Sequence, residues 1–188
     1  MGQLILVLGG ARSGKSAYAQ RIAQELGGNA VLFVATAEGG DEEMAQRIAT
    51  HQQSRPSAWR TLECPRRIGP AIRATLCDTA VVLVDCLTLL VSNMMLAPNL
   101  APTGKETGSV IREEVETLLQ TCQTSNATFI VVSNEVGLGL VPDTSLGRLY
   151  RDLLGQANQT LAARADAVYF MVAGLAVDIK LLAAQQAH

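Results

Sequence analysis

Gly9-Gly10-Ala11-Arg12-Ser13-Gly14-Lys15-Ser16 fits the pattern G-x-x-x-x-G-K-[ST] without a mismatch. Before it runs the apolar stretch Leu4-Ile5-Leu6-Val7-Leu8, and after it Ala17 to Leu26 carries a helical pattern. A glycine-rich turn lets successive backbone N–H groups approach phosphate oxygens without interference from Cβ atoms. The helix beginning near Gly14 adds the positive end of its dipole. Lys15 can then reach the β- and γ-phosphates, and the Ser16 hydroxyl can ligate Mg²⁺. Eight residues alone leave open a turn that merely ends a strand. The strand before and the helix after decide for a nucleoside triphosphate site.

The bulk properties suit a small soluble enzyme. A chain of 188 residues is read as one domain, 1–188, large enough to bury a substantial core. Charged residues are 17% and apolar residues 48%, an α/β-like composition rather than a disordered one. The net charge of −2, with no Lys/Arg tract, gives nucleic acid no electrostatic footprint. Met1 leads directly towards the first strand, so no secretory signal is expected. The longest apolar stretch, Ala80 to Val91, is broken by Asp85 and too short for membrane insertion. Cys64, Cys77, Cys86 and Cys122 form no C-x-x-C pair and are expected to be buried thiols in a reducing cytoplasmic setting.

Apolar, β-rich runs alternate with helical patterns along the whole chain. This predicts a three-layer P-loop NTPase-like α/β fold, with a mostly parallel sheet of about five or more strands. Strands are expected at 30–36, 59–63, 81–85, 127–133 and, closing the fold, 167–173. Helices are expected from Asp41 to about Gln53, 66–76, from Leu87 to about Leu96, 109–121 and 146–165. Gly27-Gly28 stops the first helix, and Pro56 bars the Asp41 helix from continuing. Residues 97–108, with two prolines and two glycines, read as the only long loop, either a lid or a surface insertion.

Asp85 ends the apolar run Val81-Val82-Leu83-Val84. Phosphate-loop enzymes hold Mg²⁺ between the loop Ser/Thr and an acid in that position, at the ligand crevice of the sheet. The competing reading is an N-cap for the helix that follows. His51 is the only histidine besides His188. Arg47, His51 and Arg55 are spaced four apart and share a stripe as far as the helix lasts. Two cations beside an imidazole favour its neutral, nucleophilic form, although a lone histidine on a solvent-facing helix is the commoner situation. Ser133-Asn134-Glu135-Val136-Gly137 places polar side chains at another strand end, where ordinary turn chemistry competes with ligand contact.

These residues resemble, nearly end to end, one family: the bifunctional adenosylcobinamide kinase/adenosylcobinamide-phosphate guanylyltransferases of cobalamin biosynthesis. The resemblance rests on the phosphate loop, on Val34-Ala35-Thr36, and on Met44-Ala45-Gln46-Arg47-Ile48 followed by His51 and Arg55-Pro56. It continues through Trp59-Arg60-Thr61-Leu62-Glu63, Val84-Asp85-Cys86-Leu87-Thr88 and Ser133-Asn134-Glu135-Val136-Gly137.

The resemblance implies two activities at one nucleotide site, with ATP or GTP and Mg²⁺. A γ-phosphate moves to the aminopropanol hydroxyl of adenosylcobinamide; GTP then guanylylates a histidine, and the GMP passes to adenosylcobinamide phosphate. His51 matches that histidine. The nucleotide site maps to Gly9, Gly10, Ala11, Arg12, Ser13, Gly14, Lys15 and Ser16, with Val34, Ala35, Thr36, Gln52, Gln53, Ser54, Arg55, Glu63 and Asp85. A homo-oligomer, the trimer of the family, is implied as well. The chain departs from the family near its C-terminus, where a turn written G-L-P-x-x-L-K reads Gly174-Leu175-Ala176-Val177-Asp178-Ile179-Lys180; loss of the proline would leave that turn less rigid. A P-loop small-metabolite kinase without guanylyltransferase activity would use the loop and Asp85 but not His51. A nucleotide-binding switch is a third class.

Overall fold

The computed structural model describes residues 2–38, 55–97 and 104–186. Seven strands among them form a single sheet: β1 (Leu4–Gly9), β2 (Val31–Ala35), β3 (Arg60–Glu63), β4 (Val81–Asp85), β5 (Thr128–Asn134), β6 (Ala167–Val172) and β7 (Leu175–Asp178). Their order is β3-β2-β4-β5-β1-β6-β7, and every pairing is parallel except β6 with β7. The helices are α1 (Lys15–Gly27), α2 (Ile68–Thr75), α3 (Leu87–Met95), α4 (Gly104–Gln123), α5 (Ser145–Arg164) and α6 (Ile179–Gln185). The fold is the expected α/β arrangement, a mostly parallel sheet between helical layers.

The central strands are buried on both faces, which is why they read as continuous apolar runs rather than alternating ones. Leu4, Leu6, Leu8, Leu32, Val34, Val82, Val84, Phe129 and Val131 share a core with α2, α3, α4 and α5. Val7, Val31, Phe33, Val81, Leu83, Ile130 and Val132 face the other way, against Ala19 and Ala23 of α1 and Trp59. The Trp59 indole N–H donates to the Gly28 carbonyl at 3.0 Å and so closes the end of this layer.

Three expectations are corrected. The chain does not close at β6: Ala173 (φ 50°) and Gly174 (φ 83°) make a two-residue turn with both φ positive, and β7 returns antiparallel. Ala-Gly is a weaker hairpin signal than Asn-Gly, so the pattern did not announce it. Ala176 is therefore a strand residue opposite Met171 rather than part of a loosened turn. Asp178 then caps α6, accepting from the Lys180 and Leu181 N–H groups at 3.1 and 2.9 Å.

Next, α4 begins at Gly104, not near Ser109, so the proposed 97–108 loop is helical from 104 onward; residues 98–103 lie outside those described. Glu106 in its first turn favours the helix dipole, and Gly108 lets Leu153 of α5 approach to within 3.2 Å of where a Cβ would stand. Finally, of the four cysteines expected to be buried, Cys77 is exposed, Cys64 and Cys86 are half-buried and Cys122 alone is fully buried. Burial pushes the Cys86 and Cys122 thiols up to about 11, as befits inert core thiols. The expected helix from Asp41 to Gln53 lies outside the described residues.

Candidate active site at the carboxyl edge of the sheet

Parallel strands bring their carboxyl ends to one edge, and Gly9, Ala35, Glu63, Asp85 and Asn134 stand there. Gly9 ends β1 in register with Asn134 of β5 on one side and Met171 of β6 on the other. Ala35 ends β2 in register with Glu63 of β3 and with Asp85 of β4. In-register residues of parallel strands point to the same face, so Ala35, Glu63 and Asp85 all project towards the α1 layer. Two strand spacings, roughly 10 Å, separate the backbones of the two acids.

The phosphate loop is built by steric exclusion. A Cβ on Gly9 would lie 2.6 Å from the Met171 carbonyl oxygen, and Gly14 adopts φ 93°. Arg12 is also left-handed, at φ 56°. The Ser13 N–H donates to the Gly10 carbonyl at 3.3 Å, and the β6–β7 turn braces the loop through Gly174 N–H to the Ser13 carbonyl at 3.0 Å. A Cβ on Gly10 would meet nothing within 4 Å, which leaves that side of the loop open to a ligand. The cap position of α1 is Gly14, with no side-chain cap bond, so its first N–H groups keep their capacity for phosphate oxygens.

Lys15 is buried, with its ammonium donating to the Gly10 carbonyl at 2.6 Å. Burial lowers its pKa below 10.5, and Asp85, within electrostatic reach, opposes that shift. Arg55 lies over Phe33, its guanidinium carbon 3.6 Å from the ring centroid. Burial lowers its pKa too, against the pull of Asp85 and Glu63. One cation on the loop and one on the Phe33 ring thus both lie within electrostatic reach of Asp85, and the Arg55 Nε is buried without a hydrogen-bond partner.

Asp85 does not take the cap position of α3. The cap position of α3 is Cys86, extended at φ −145°, and Asp85 precedes it as the last strand residue. Ser16, half-buried in the first turn of α1, is the hydroxyl that would join Asp85 at a metal. Among the described residues no group of three His, Cys, Asp or Glu side chains converges to cage a metal. That donor set fits Mg²⁺, which takes one or two protein oxygens and completes its shell with phosphates and water.

Of Val34-Ala35-Thr36, Ala35 alone presents its side chain to this face. Val34 is packed in the opposite core, and the buried Thr36 hydroxyl is engaged with Cys86, accepting from its N–H at 2.8 Å and donating to its carbonyl at 2.7 Å. Any contact from positions 34 and 36 is therefore through backbone. His51, Gln52, Gln53 and Ser54 lie outside the described residues. Sequence reasoning missed the Phe33 platform, although alternation along β2 already places Phe33 and Ala35 on one face. It also missed the β6–β7 turn behind the loop.

A nucleotide-phosphate loop at the switch between β1 and α1, with an acid on a nearby parallel strand, defines a P-loop α/β nucleotide-binding protein. Residues 5–179 match the family described as cobinamide kinase / cobinamide phosphate guanyltransferase. The chain is 41% identical over 189 residues to the bifunctional adenosylcobalamin biosynthesis protein CobU of Salmonella typhimurium, covering 94% of this chain and 99% of that one. It is 39% identical over 182 residues to CobU of Escherichia coli, with the same coverage of both chains. To the bifunctional protein CobP of Pseudomonas aeruginosa it is 43% identical over 175 residues, covering 93% and 96%. The chain belongs to the bifunctional cobinamide kinase/cobinamide phosphate guanylyltransferase family of cobalamin biosynthesis.

Proposed function

We propose that residues 1–188 form one catalytic domain that carries out both family reactions at the edge of the sheet built by Gly9–Ser16, Arg55, Glu63 and Asp85. The observation that carries this reading is the buried Lys15 held on the Gly10 carbonyl of an open phosphate loop, with Asp85 at the carboxyl end of β4 and within electrostatic reach of it. In the kinase step, ATP or GTP lies along the loop and the adenosylcobinamide hydroxyl attacks the γ-phosphorus. The bond from that phosphorus to the bridging oxygen breaks, and the diphosphate leaves. Lys15 and the loop N–H groups hold the charge of the transferring group. Ser16 and Asp85 would hold Mg²⁺, which would supply charge neutralisation at the phosphates.

In the second reaction the neutral imidazole of His51 attacks the α-phosphorus of GTP, and pyrophosphate leaves. A phosphate oxygen of adenosylcobinamide phosphate then displaces the imidazole to give adenosylcobinamide-GDP. Three residues, Gln52 to Ser54, lie between His51 and Arg55, so four Cα–Cα steps tether the two within at most about 14 Å. Gln52, Gln53 and Ser54, with Glu63 and the backbone at Val34 to Thr36, would complete the guanine-nucleotide site.

Intact mass after incubation with GTP and Mg²⁺ alone tests the reading. An added GMP is expected; its absence, with kinase activity present, would leave a small-metabolite kinase. We further propose a homo-oligomer, the trimer implied by the family resemblance. It is supported by exposed apolar side chains along the β7 edge and α6, among them Leu175 (72%) and Leu181 (58%). Sedimentation equilibrium tests it. The setting is cytoplasmic on this reading; no helix among the described residues is long and apolar enough to cross a membrane.

A further inference from the structure

β5 lies between the phosphate-loop strand β1 and the Asp85 strand β4, and it outruns β4. Asp85, the last residue of β4, is in register with Val132, whereas Asn134 stands two residues further on, level with Gly9. Residues 133 and 135 turn their backbone groups towards β1, as the Glu135 N–H donating to the Gly9 carbonyl at 3.0 Å shows. The backbone groups of Asn134 therefore face the side on which β4 has already ended. Two side chains from the helical layer take the missing strand's place. The Thr88 hydroxyl of α3 accepts the Asn134 N–H at 2.8 Å, and the Asn158 amide of α5 donates to the Asn134 carbonyl at 3.1 Å.

This bracing has its own cost. Asn158 is buried, and its Oδ1 has no hydrogen-bond partner, which a leucine at that position would avoid. Thr88 is held in turn by the Tyr150 hydroxyl, which donates to the Thr88 carbonyl at 3.2 Å. Two polar residues on otherwise apolar helix faces thus fix one backbone position. The side chain they fix follows Ile130 and Val132 on the α1 face, half-buried, level with the first residue of the phosphate loop. Its own amide makes none of the hydrogen bonds that hold the strand end.

We propose that the Asn134 side-chain amide contacts the γ-phosphoryl group of the bound nucleotide during the kinase step, and that Thr88 and Asn158 are positioning residues that aim it. This rests on the assignment of the nucleotide to the Gly9–Ser16 loop. A neutral amide can donate to a γ-phosphoryl oxygen while the acceptor oxygen bonds to phosphorus, the bridging P–O bond breaks and the hydroxyl proton passes to solvent. Guanylylation breaks the bond between the α- and β-phosphates and makes no such demand on Asn134.

Two readouts on purified full-length protein test the proposal. The first is the affinity ratio between a non-hydrolysable triphosphate analogue of GTP and GDP, which needs no corrinoid. Asn134→Ala is expected to lower that ratio about tenfold. The isosteric Asn134→Asp, with a carboxylate facing phosphate, is expected to lower it further and serves if the alanine variant fails to fold. The second is the split between activities: the kinase kcat is expected to fall about 10²–10³-fold, with GMP labelling from GTP within a few-fold of wild type. Asn158→Leu should reproduce a weaker form of the same split, with the affinity ratio lowered by less than in Asn134→Ala. An unchanged affinity ratio in both Asn134 variants overturns the proposal, as does an equal loss of both activities. A wild-type protein without kinase activity would instead count against the assigned function, with the affinity ratio still deciding the role of Asn134.

Discussion

The Lys15 ammonium donates to the Gly10 carbonyl, 2.6 Å away across its own phosphate loop. The loop thus holds its lysine in place before any phosphate arrives, and the incoming oxygens replace a carbonyl rather than order a mobile chain. Lys15→Ala should reduce both the kinase and the guanylylation rates by about 10²–10³. Because burial lowers the Lys15 pKa, nucleotide binding should also weaken with rising pH before an ordinary lysine, at 10.5, would lose its proton. Wild-type phosphorylation by the alanine variant would remove the loop from the mechanism.

Asp85→Asn should raise the Mg²⁺ concentration needed for half-maximal turnover and lower the maximal rate. It should leave α3 formed, since Cys86 occupies the cap position. Titrating Mg²⁺ against activity, alongside thermal melts, separates the two roles. Unaltered metal dependence with a lowered melting temperature would return Asp85 to a purely structural part.

For His51→Ala the expected outcome is loss of GMP labelling with much of the kinase rate kept, because phosphoryl transfer needs positioning and charge rather than this nucleophile. The wild-type adduct, a phosphoramidate, should survive alkali and be lost in acid. Its formation should fade below about pH 6.5, where an unperturbed imidazole takes up its proton. Labelling that persists in the variant would place the nucleophile elsewhere.

Glu114 of α4 is buried and caps α2 from outside, accepting from the Ile68 N–H at 2.6 Å and the Arg67 N–H at 3.1 Å. Burial raises its pKa above the ordinary 4.5, against the pull of those two donors. From 4.5 up to the raised value the folded protein holds the proton more tightly than the unfolded chain. Stability from this group is therefore fully present below 4.5 and lost as pH rises through the folded value. Glu114→Gln should remove that slope and, by setting an NH₂ against one backbone donor, cost about 1–3 kcal/mol near neutrality. Urea midpoints from pH 4 to 8 check both; parallel pH profiles for the two proteins would contradict the linkage.

The nucleotide site was legible in the sequence because its chemistry is local. Gly9 to Ser16 form one turn whose glycines and lysine are required at fixed spacing, and Asp85 follows directly on a run that can only be a buried strand. Residue order within a few positions also settled most strands, since apolar β-branched runs have few other uses in an α/β chain. Tertiary structure alone decided what depends on strand order and register. It set Glu63 and Asp85 either side of Ala35, laid Arg55 on Phe33, and turned Val34 away into the opposite core. It also let β5 outrun β4, so that Thr88 and Asn158, 70 residues apart, meet at Asn134. A linear pattern carries periodicity along the chain, but which strand lies beside which is fixed by packing of the whole core, and that is where these pairings arise.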